Sequence, residues 1–248
     1  MSDQEQEIRA RDEHAEGFED WYLQKGYYYD WVEKNALMYS LNLRKEDIVL
    51  DAGCGTGRLT RNIAGRCKKV YGVDFSSRSI EVLKKKAWES GIKNIKTHVC
   101  NITESLPLME KVDKIVCVQV IQHIPTEAER TTVLKNLYDQ LKPNGVCVCS
   151  VYSWNSHLDS ELLKEGQFPN GIYYLRFSPK EIEAVYKECG FKDISVRGCV
   201  NFKWYSHNIL AMNNIRDLFY PIAKLDTSIS KFKFSCSLGS FLICKGTK

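Results

Sequence analysis

No run of the 248 residues approaches the roughly 20 consecutive apolar positions that a helix needs to cross a bilayer. The opening stretch MSDQEQEIRARDEHAEGF has neither the apolar centre of a secretory signal nor the Arg-rich, acid-poor character of a transit peptide. A cytoplasmic location is therefore expected. Ten cysteines are present, but no two have the CxxC spacing of a zinc knuckle, so no metal site is expected. Cys147 and Cys149 have the spacing that places both on one face of a strand. With Cys100 and Cys117 they fall in segments that read as buried strands, where a reduced thiol behaves as a small hydrophobe. There is no internal repeat or low-complexity tract, and the six prolines are scattered. One domain (residues 48–248) with an N-terminal helical cap (residues 1–47) accounts for such a chain.

What is present has the balance of a folded protein, with 44% hydrophobic and 27% charged residues. A net charge of +4 is too small to argue for a nucleic-acid binder. The charge is unevenly placed: residues 1–20 carry eight acids against Arg9 and Arg11, and residues 197–248 carry eight Lys or Arg against Asp217 and Asp226. A basic end can face an anionic partner, and it also serves simply to keep a surface solvated.

From Ile48 onward, short β-branched runs alternate with longer helical stretches. IVLDAG precedes a helix expected from about Gly57 to Arg66. KVYGVDF is followed by a helix over 77–90, IKTHVCN by a short loop, DKIVCVQVI by a helix over 127–141, and VCVCSVYS comes after the turn at Pro143-Asn144-Gly145. This alternation predicts βαβ crossovers and an α/β, Rossmann-like, doubly wound and mostly parallel sheet with a helical N-terminal extension. Thr126 and Glu129 read as a capping box, Ser178-Pro179 opens a further helix, and DISVRGCVNF and SFLICK read as late strands.

The chemistry concentrates in VLDAGCGTG, where an apolar strand ends in Gly53, Gly55 and Gly57 immediately before a helix. Glycine there permits a tight turn and lets main chain approach a ligand. Asp74 closes the next strand, where a carboxylate can accept hydrogen bonds from both hydroxyls of a ribose. The spacing is GxGxG rather than GxGxxG, and Asp51 lies inside the segment, where it would repel a pyrophosphate and favour an ammonium.

This stretch resembles the class I S-adenosylmethionine-dependent methyltransferase superfamily, of the methyltransferase-type fold. The resemblance extends over residues 49–151 and implies S-adenosylmethionine as cofactor, with S-adenosylhomocysteine as product. On that basis Asp51, Gly53, Cys54, Gly55, Asp74 and Phe75 are the expected cofactor contacts. CNITESLPL is similar to the loop that frames the adenine, with Asn101 where the superfamily usually has Asp and Ile102 beside it. Gln119, after the fourth strand, would line the methionine end, and KPNG is similar to a KPGG turn.

Methyl transfer asks mainly for positioning, and a general base only where the acceptor must lose a proton. His123 is the expected base, or else caps its turn. Tyr152, Trp154 and His157 after the fifth strand, and Tyr28 in the aromatic segment before Ile48, are candidate acceptor contacts. The acceptor-binding elements are expected within 152–177 and 203–233. Arg58 is expected as a solvated residue at a helix start. A small-molecule acceptor methylated on oxygen or nitrogen is the leading reading. An alternative partner is RNA, because HIPTEAERTTVLKNLYDQLKPNG has some similarity to methyltransferases of carboxymethylated wobble uridine in tRNA. A non-catalytic partner subunit is a third, disfavoured by the intact Asp51, Gly53, Gly55 and Asp74.

Overall fold

The structure, a computed structural model, describes residues 3–17, 19–20, 27–104, 106, 110–155, 163–202 and 216–248. Helices α1 (Asp3–His14) and α2 (Tyr27–Leu41) come first. They lead into β1 (Ile48–Ala52), α3 (Thr60–Ala64), β2 (Lys69–Asp74), α4 (Ser77–Glu89) and β3 (Ile95–Val99). The chain continues through β4 (Val112–Val118), α5 (Glu127–Gln140) and β5 (Leu141–Tyr152). It then forms β6 (Glu165–Gln167), β7 (Tyr173–Leu175), α6 (Pro179–Glu188), β8 (Lys192–Cys199), α7 (Arg216–Ile229) and β9 (Phe241–Thr247).

Seven strands form one sheet in the order β3-β2-β1-β4-β5-β9-β8, with β6 and β7 a separate hairpin. The pairs from β3 through β5 are parallel, and β9 runs antiparallel to both β5 and β8. The doubly wound, mostly parallel sheet expected from the sequence is thus observed. Every residue of β1 is buried because both faces of the sheet are covered. One face packs on Val133, Leu134 and Leu137 of α5 and on Ile182 and Tyr186 of α6. The other packs on Val32, Ala36, Leu37 and Leu41 of α2, at helical spacing, with Ile63 of α3 and Ala223 of α7. The winding reverses between β1 and β4, and this is where a crevice opens at the carboxyl ends of the strands.

Several local expectations are corrected. The helix read over 57–66 shrinks to Thr60–Ala64, because Gly57 holds a positive φ and still belongs to the loop. Helix α4 is capped by Ser76, whose hydroxyl accepts from the Ser79 N–H. At Thr126 only half a capping box forms: Thr126 accepts from the Glu129 N–H but donates its hydroxyl to the Glu129 carboxylate. The full box occurs at Ser178 and Glu181 instead. Cys100 lies beyond the end of β3 and is only half-buried, whereas Cys117, Cys147 and Cys149 are fully enclosed core residues. All ten cysteines are free thiols, and no metal-ligating cluster occurs among the described residues.

Candidate active site

Three strand ends deliver the side chains. β1 brings Asp51, β2 brings Asp74, and the chain leaving β4 turns at Gln119, which adopts a left-handed φ of 58°. Between them lies a cleft of about 310 Å³, lined by Asp51, Gly53, Cys54, Gly55, Asp74, Phe75, Gln119, His123 and Tyr152. A smaller cavity of about 80 Å³ adjoins it, with Asn101, Ile102 and Cys100 in its wall. The two share Glu7, Gly53, Asp74, Phe75, Val120 and His123. All nine expected cofactor positions therefore line one connected space.

The three glycines of the loop have different reasons to be glycine. A Cβ on Gly53 would overlap the Val120 side chain, and one on Gly57 would overlap Leu83. These two glycines let the protein pack on itself. A Cβ on Gly55 would have no atom within 4 Å and would stand in the cleft, while the Gly55 N–H donates to Asp74 Oδ2 at 2.8 Å. The other carboxylate oxygen, Oδ1, accepts from the Ser76 N–H at 2.9 Å. Burial raises the Asp74 carboxyl above its ordinary value, opposed by these two backbone donors. Asp51 is fully enclosed and accepts from the Thr60 hydroxyl at 2.6 Å. Its burial, relieved only partly by Thr60, pushes the carboxyl up to about 7. A cleft with two buried carboxylates above their usual range and bare main chain at Gly55 fits a ligand that carries a ribose and an ammonium.

The expected acceptor residues divide. Tyr152 lines the cleft, and its ring stands edge-on to His123 at 5.7 Å and tilted against Phe241 at 6.0 Å. Tyr28 does not line it: Tyr28 is buried in the core and donates its hydroxyl to Asp226 at 2.6 Å. The next residue, Tyr29, is the one on the cleft. Trp154 is not among the cleft residues, and its N–H donates to the Phe177 carbonyl at 2.8 Å. His157 lies outside the described residues, as do residues 203–215 of the expected element over 203–233. Arg58 is not solvated, since its guanidinium pairs with Asp30 and Glu33.

Other wall residues were not anticipated. Glu7 and Arg11 of α1 pair at 3.1 Å and close the cleft from above the β2 end. Burial raises the Glu7 carboxyl against the opposing pull of Arg11. The acids of residues 1–20 dock α1 and the turn after it on the sheet domain: Asp12 accepts from Ser76, Glu16 pairs with Arg78, and Glu19 pairs with Arg61 and Lys86. Glu33 of α2, also enclosed, accepts from Gln119 Nε2 at 2.8 Å and Ser150 Oγ at 2.7 Å. No motif marks any of these residues; the excess of acids before residue 21 was the one visible trace.

His123 is buried, and its Nδ1 lies 2.8 Å from the Tyr173 carbonyl, which assigns the ring proton to Nδ1. Burial first, then Arg11, lowers the ring from 6.5 to about 3. Because the folded value lies below the unfolded one, the neutral ring stabilises the protein above pH 6.5, and this is lost as pH falls towards 3. The His123→Gln variant removes that penalty. Its unfolding free energy should fall by about 2 kcal/mol less than that of the parent between pH 7 and pH 5. Denaturant titrations at the two pH values check this, and equal losses would place the ring in water.

Residues 43–212 match the family described as a methyltransferase domain, and the chain belongs to it, within the class I S-adenosylmethionine-dependent methyltransferases. A probable cobalt-precorrin-6B C(15)-methyltransferase (decarboxylating) of Methanocaldococcus jannaschii is 37% identical over 155 residues, which is 56% of this chain and 79% of that one. A ubiquinone biosynthesis O-methyltransferase of Actinobacillus pleuropneumoniae is 33% identical over 172 residues, covering 64% and 69% of the two chains. Among solved structures, the DhpI–SAH complex has the same fold, with a TM-score of 0.66 at 16% identity over 98% of this chain and 95% of that one.

Proposed function

We propose that this methyltransferase carries a methyl group to oxygen or nitrogen of a small-molecule acceptor held at the Tyr152 end of the cleft. The observation that carries the reading is the continuity of the cleft. One space runs from Asn101 and Asp74 past the bare Gly55 main chain to Gln119 and then to an aromatic wall of Tyr29, Tyr152 and Phe241. The relatives named for cobalt-precorrin-6B and for ubiquinone biosynthesis support a small acceptor.

S-adenosylmethionine, once bound, supplies a methyl on a sulfonium centre that is already activated for displacement. Asp74 would hold the ribose, since each of its oxygens accepts one backbone N–H and keeps a further lone pair. Asn101 and Ile102 would border the adenine. The Asn101 Oδ1 already accepts from the Thr103 N–H at 3.0 Å, which fixes the side chain in place. Asp51, Gly53, Cys54, Gly55, Phe75 and Gln119 would frame the rest of the donor, with Asp51 opposite its ammonium. On the acceptor side, Tyr152 and Phe241 exclude water and present ring faces and edges. Held at about 3, His123 stays neutral at physiological pH, so we assign it the task of orienting the acceptor through Nε2 rather than storing its proton.

The test is transfer of labelled methyl from S-adenosylmethionine to cell extract divided into RNA, protein and small-molecule fractions. Label in the small-molecule fraction is the expected outcome. Label confined to RNA would replace this reading with the wobble-uridine alternative.

A further inference from the structure

We propose that the outer side of α7 and the segment that follows it, residues 220–238, form a docking surface for an anionic lipid bilayer. Four large apolar side chains project there: Leu225 (54% exposed), Phe232 (58%), Phe234 (61%) and Leu238 (48%). Phe232 and Phe234 lie side by side, 5.8 Å apart, and exposed apolar groups in contact on a folded chain mark a contact surface more often than scattered ones do. Lys224, Lys231 and Lys233 alternate with them in the sequence. The Lys224 ammonium lies 4.4 Å from the Tyr220 ring centre, and Lys231 and Arg197 approach the exposed Tyr39 ring at 5.1 and 5.6 Å. Asp226, the acid within 220–238, is fully buried, accepting from Tyr28 and Asn201, and so adds no negative charge outside. A carboxylate of a neighbouring element, Glu183 of α6, lies near Cys236 together with Lys233 and Arg197.

This display is built rather than frayed. The Gly198 N–H of β8 donates to Ser235 Oγ at 2.8 Å, and Cys236 Sγ reaches the Val196 carbonyl at 2.9 Å. A Cβ on Gly198 would strike the Ser235 carbonyl, so glycine at that position lets the segment lie directly on the strand. Ala223 and Asp226 turn inward while Lys224, Leu225 and Ser228 face out, which makes α7 two-sided. Apolar and aromatic groups interleaved with lysines on a fixed support match the headgroup layer of a bilayer, where rings and aliphatic chains enter and ammonium groups meet anionic lipid. RNA fits less well. Leu225 and Leu238 offer no face for stacking, and the Phe232 and Phe234 rings lie nearly parallel to one another, 5.8 Å apart. Among the described residues no helix is long and apolar enough to cross a membrane, so the contact is peripheral. Phe241 of the cleft follows Leu238 closely in the sequence, and Asn155 Nδ2 donates to the Ser237 carbonyl at 2.8 Å, which ties the segment to the chain leaving Tyr152.

The test is flotation of the full chain with phosphatidylcholine vesicles with and without phosphatidylglycerol, alongside gel retardation by bulk tRNA. Binding only to vesicles with phosphatidylglycerol, weakened by salt, is expected. The double variants Phe232→Ser/Phe234→Ser and Lys231→Glu/Lys233→Glu should each lower the bound fraction roughly tenfold or more. S-adenosylhomocysteine affinity should stay unchanged in both, which shows that they fold. The proposal is overturned if the parent chain does not float, if the phenylalanine variant floats as well as the parent, or if tRNA is bound and vesicles are not.

Discussion

Replacing Asp51 with Asn is expected to shift stability and donor affinity in opposite directions. The carboxyl sits at about 7 in the folded protein against 3.8 as its ordinary value, with burial the leading cause. The folded chain therefore holds this proton more tightly than the unfolded one. The stabilisation is complete below pH 3.8 and is lost as pH rises through about 7. At pH 8 the ionised Asp51 costs on the order of 4 kcal/mol, because the Thr60 hydroxyl and the charge of Arg58 offset only part of the carboxylate's desolvation. Asn keeps the shape and can accept the same hydroxyl. The ligand-free Asp51→Asn protein should accordingly melt several degrees above the parent at pH 8, with the difference fading towards pH 4. S-adenosylhomocysteine should bind it about 30-fold more weakly, through loss of a buried charge-assisted contact. Thermal scans across pH and calorimetric titrations read the two effects separately. A variant that is less stable at pH 8, or that binds as tightly as the parent, contradicts the placing of Asp51 opposite a cationic ligand.

Gly55→Val carries the second large effect. Its Cβ would stand in the cleft with no protein atom within 4 Å, so nothing in the fold opposes it sterically. The cost to stability comes from φ, which is +50° here, and should amount to about 1–2 kcal/mol. The cost to donor binding is far larger, because two methyl groups fill space that main chain leaves bare, and affinity should fall about 100-fold or more. Gly53→Ala is the informative contrast. There the new Cβ meets Val120, itself a wall residue of the cleft, at a φ of +76°, so stability falls along with affinity. Circular dichroism melts paired with donor titrations distinguish the two. A Gly55→Val protein that folds and binds normally would move the ligand away from this loop.

Local signals account for what the sequence disclosed. Strands β1, β2 and β4 announce themselves as mostly apolar runs between turn residues and β5 through VCVCSVY after KPNG, and the GxGxG loop with its following acid sits within one βαβ unit. The remaining wall of the cleft is assembled from distant segments with no periodicity to mark them. Arg11, Glu33 and Phe241 come from either end of the chain and meet only because α1 and α2 cover the crevice and β9 inserts antiparallel beside β5. Tyr28, expected at the acceptor, lies in the core, and its neighbour Tyr29 lies on the cleft. One residue on a helix turns a side chain by roughly 100°, and the phase is set by Val32 and Ala36 entering the core. Within 152–177 the β6–β7 hairpin reaches the cleft wall, where the Tyr173 carbonyl fixes His123, but strands of three residues leave no readable pattern. The burial that lowers His123 is likewise a property of the assembled fold.

In the proposed function Asp74 grips the sugar of the donor at the tips of β1 and β2. Calorimetric titration of S-adenosylhomocysteine into the parent and the Asp74→Ala protein tests it most directly. Loss of at least about tenfold in affinity, with the variant still folded, is the predicted result. Equal affinities in the two proteins would contradict it.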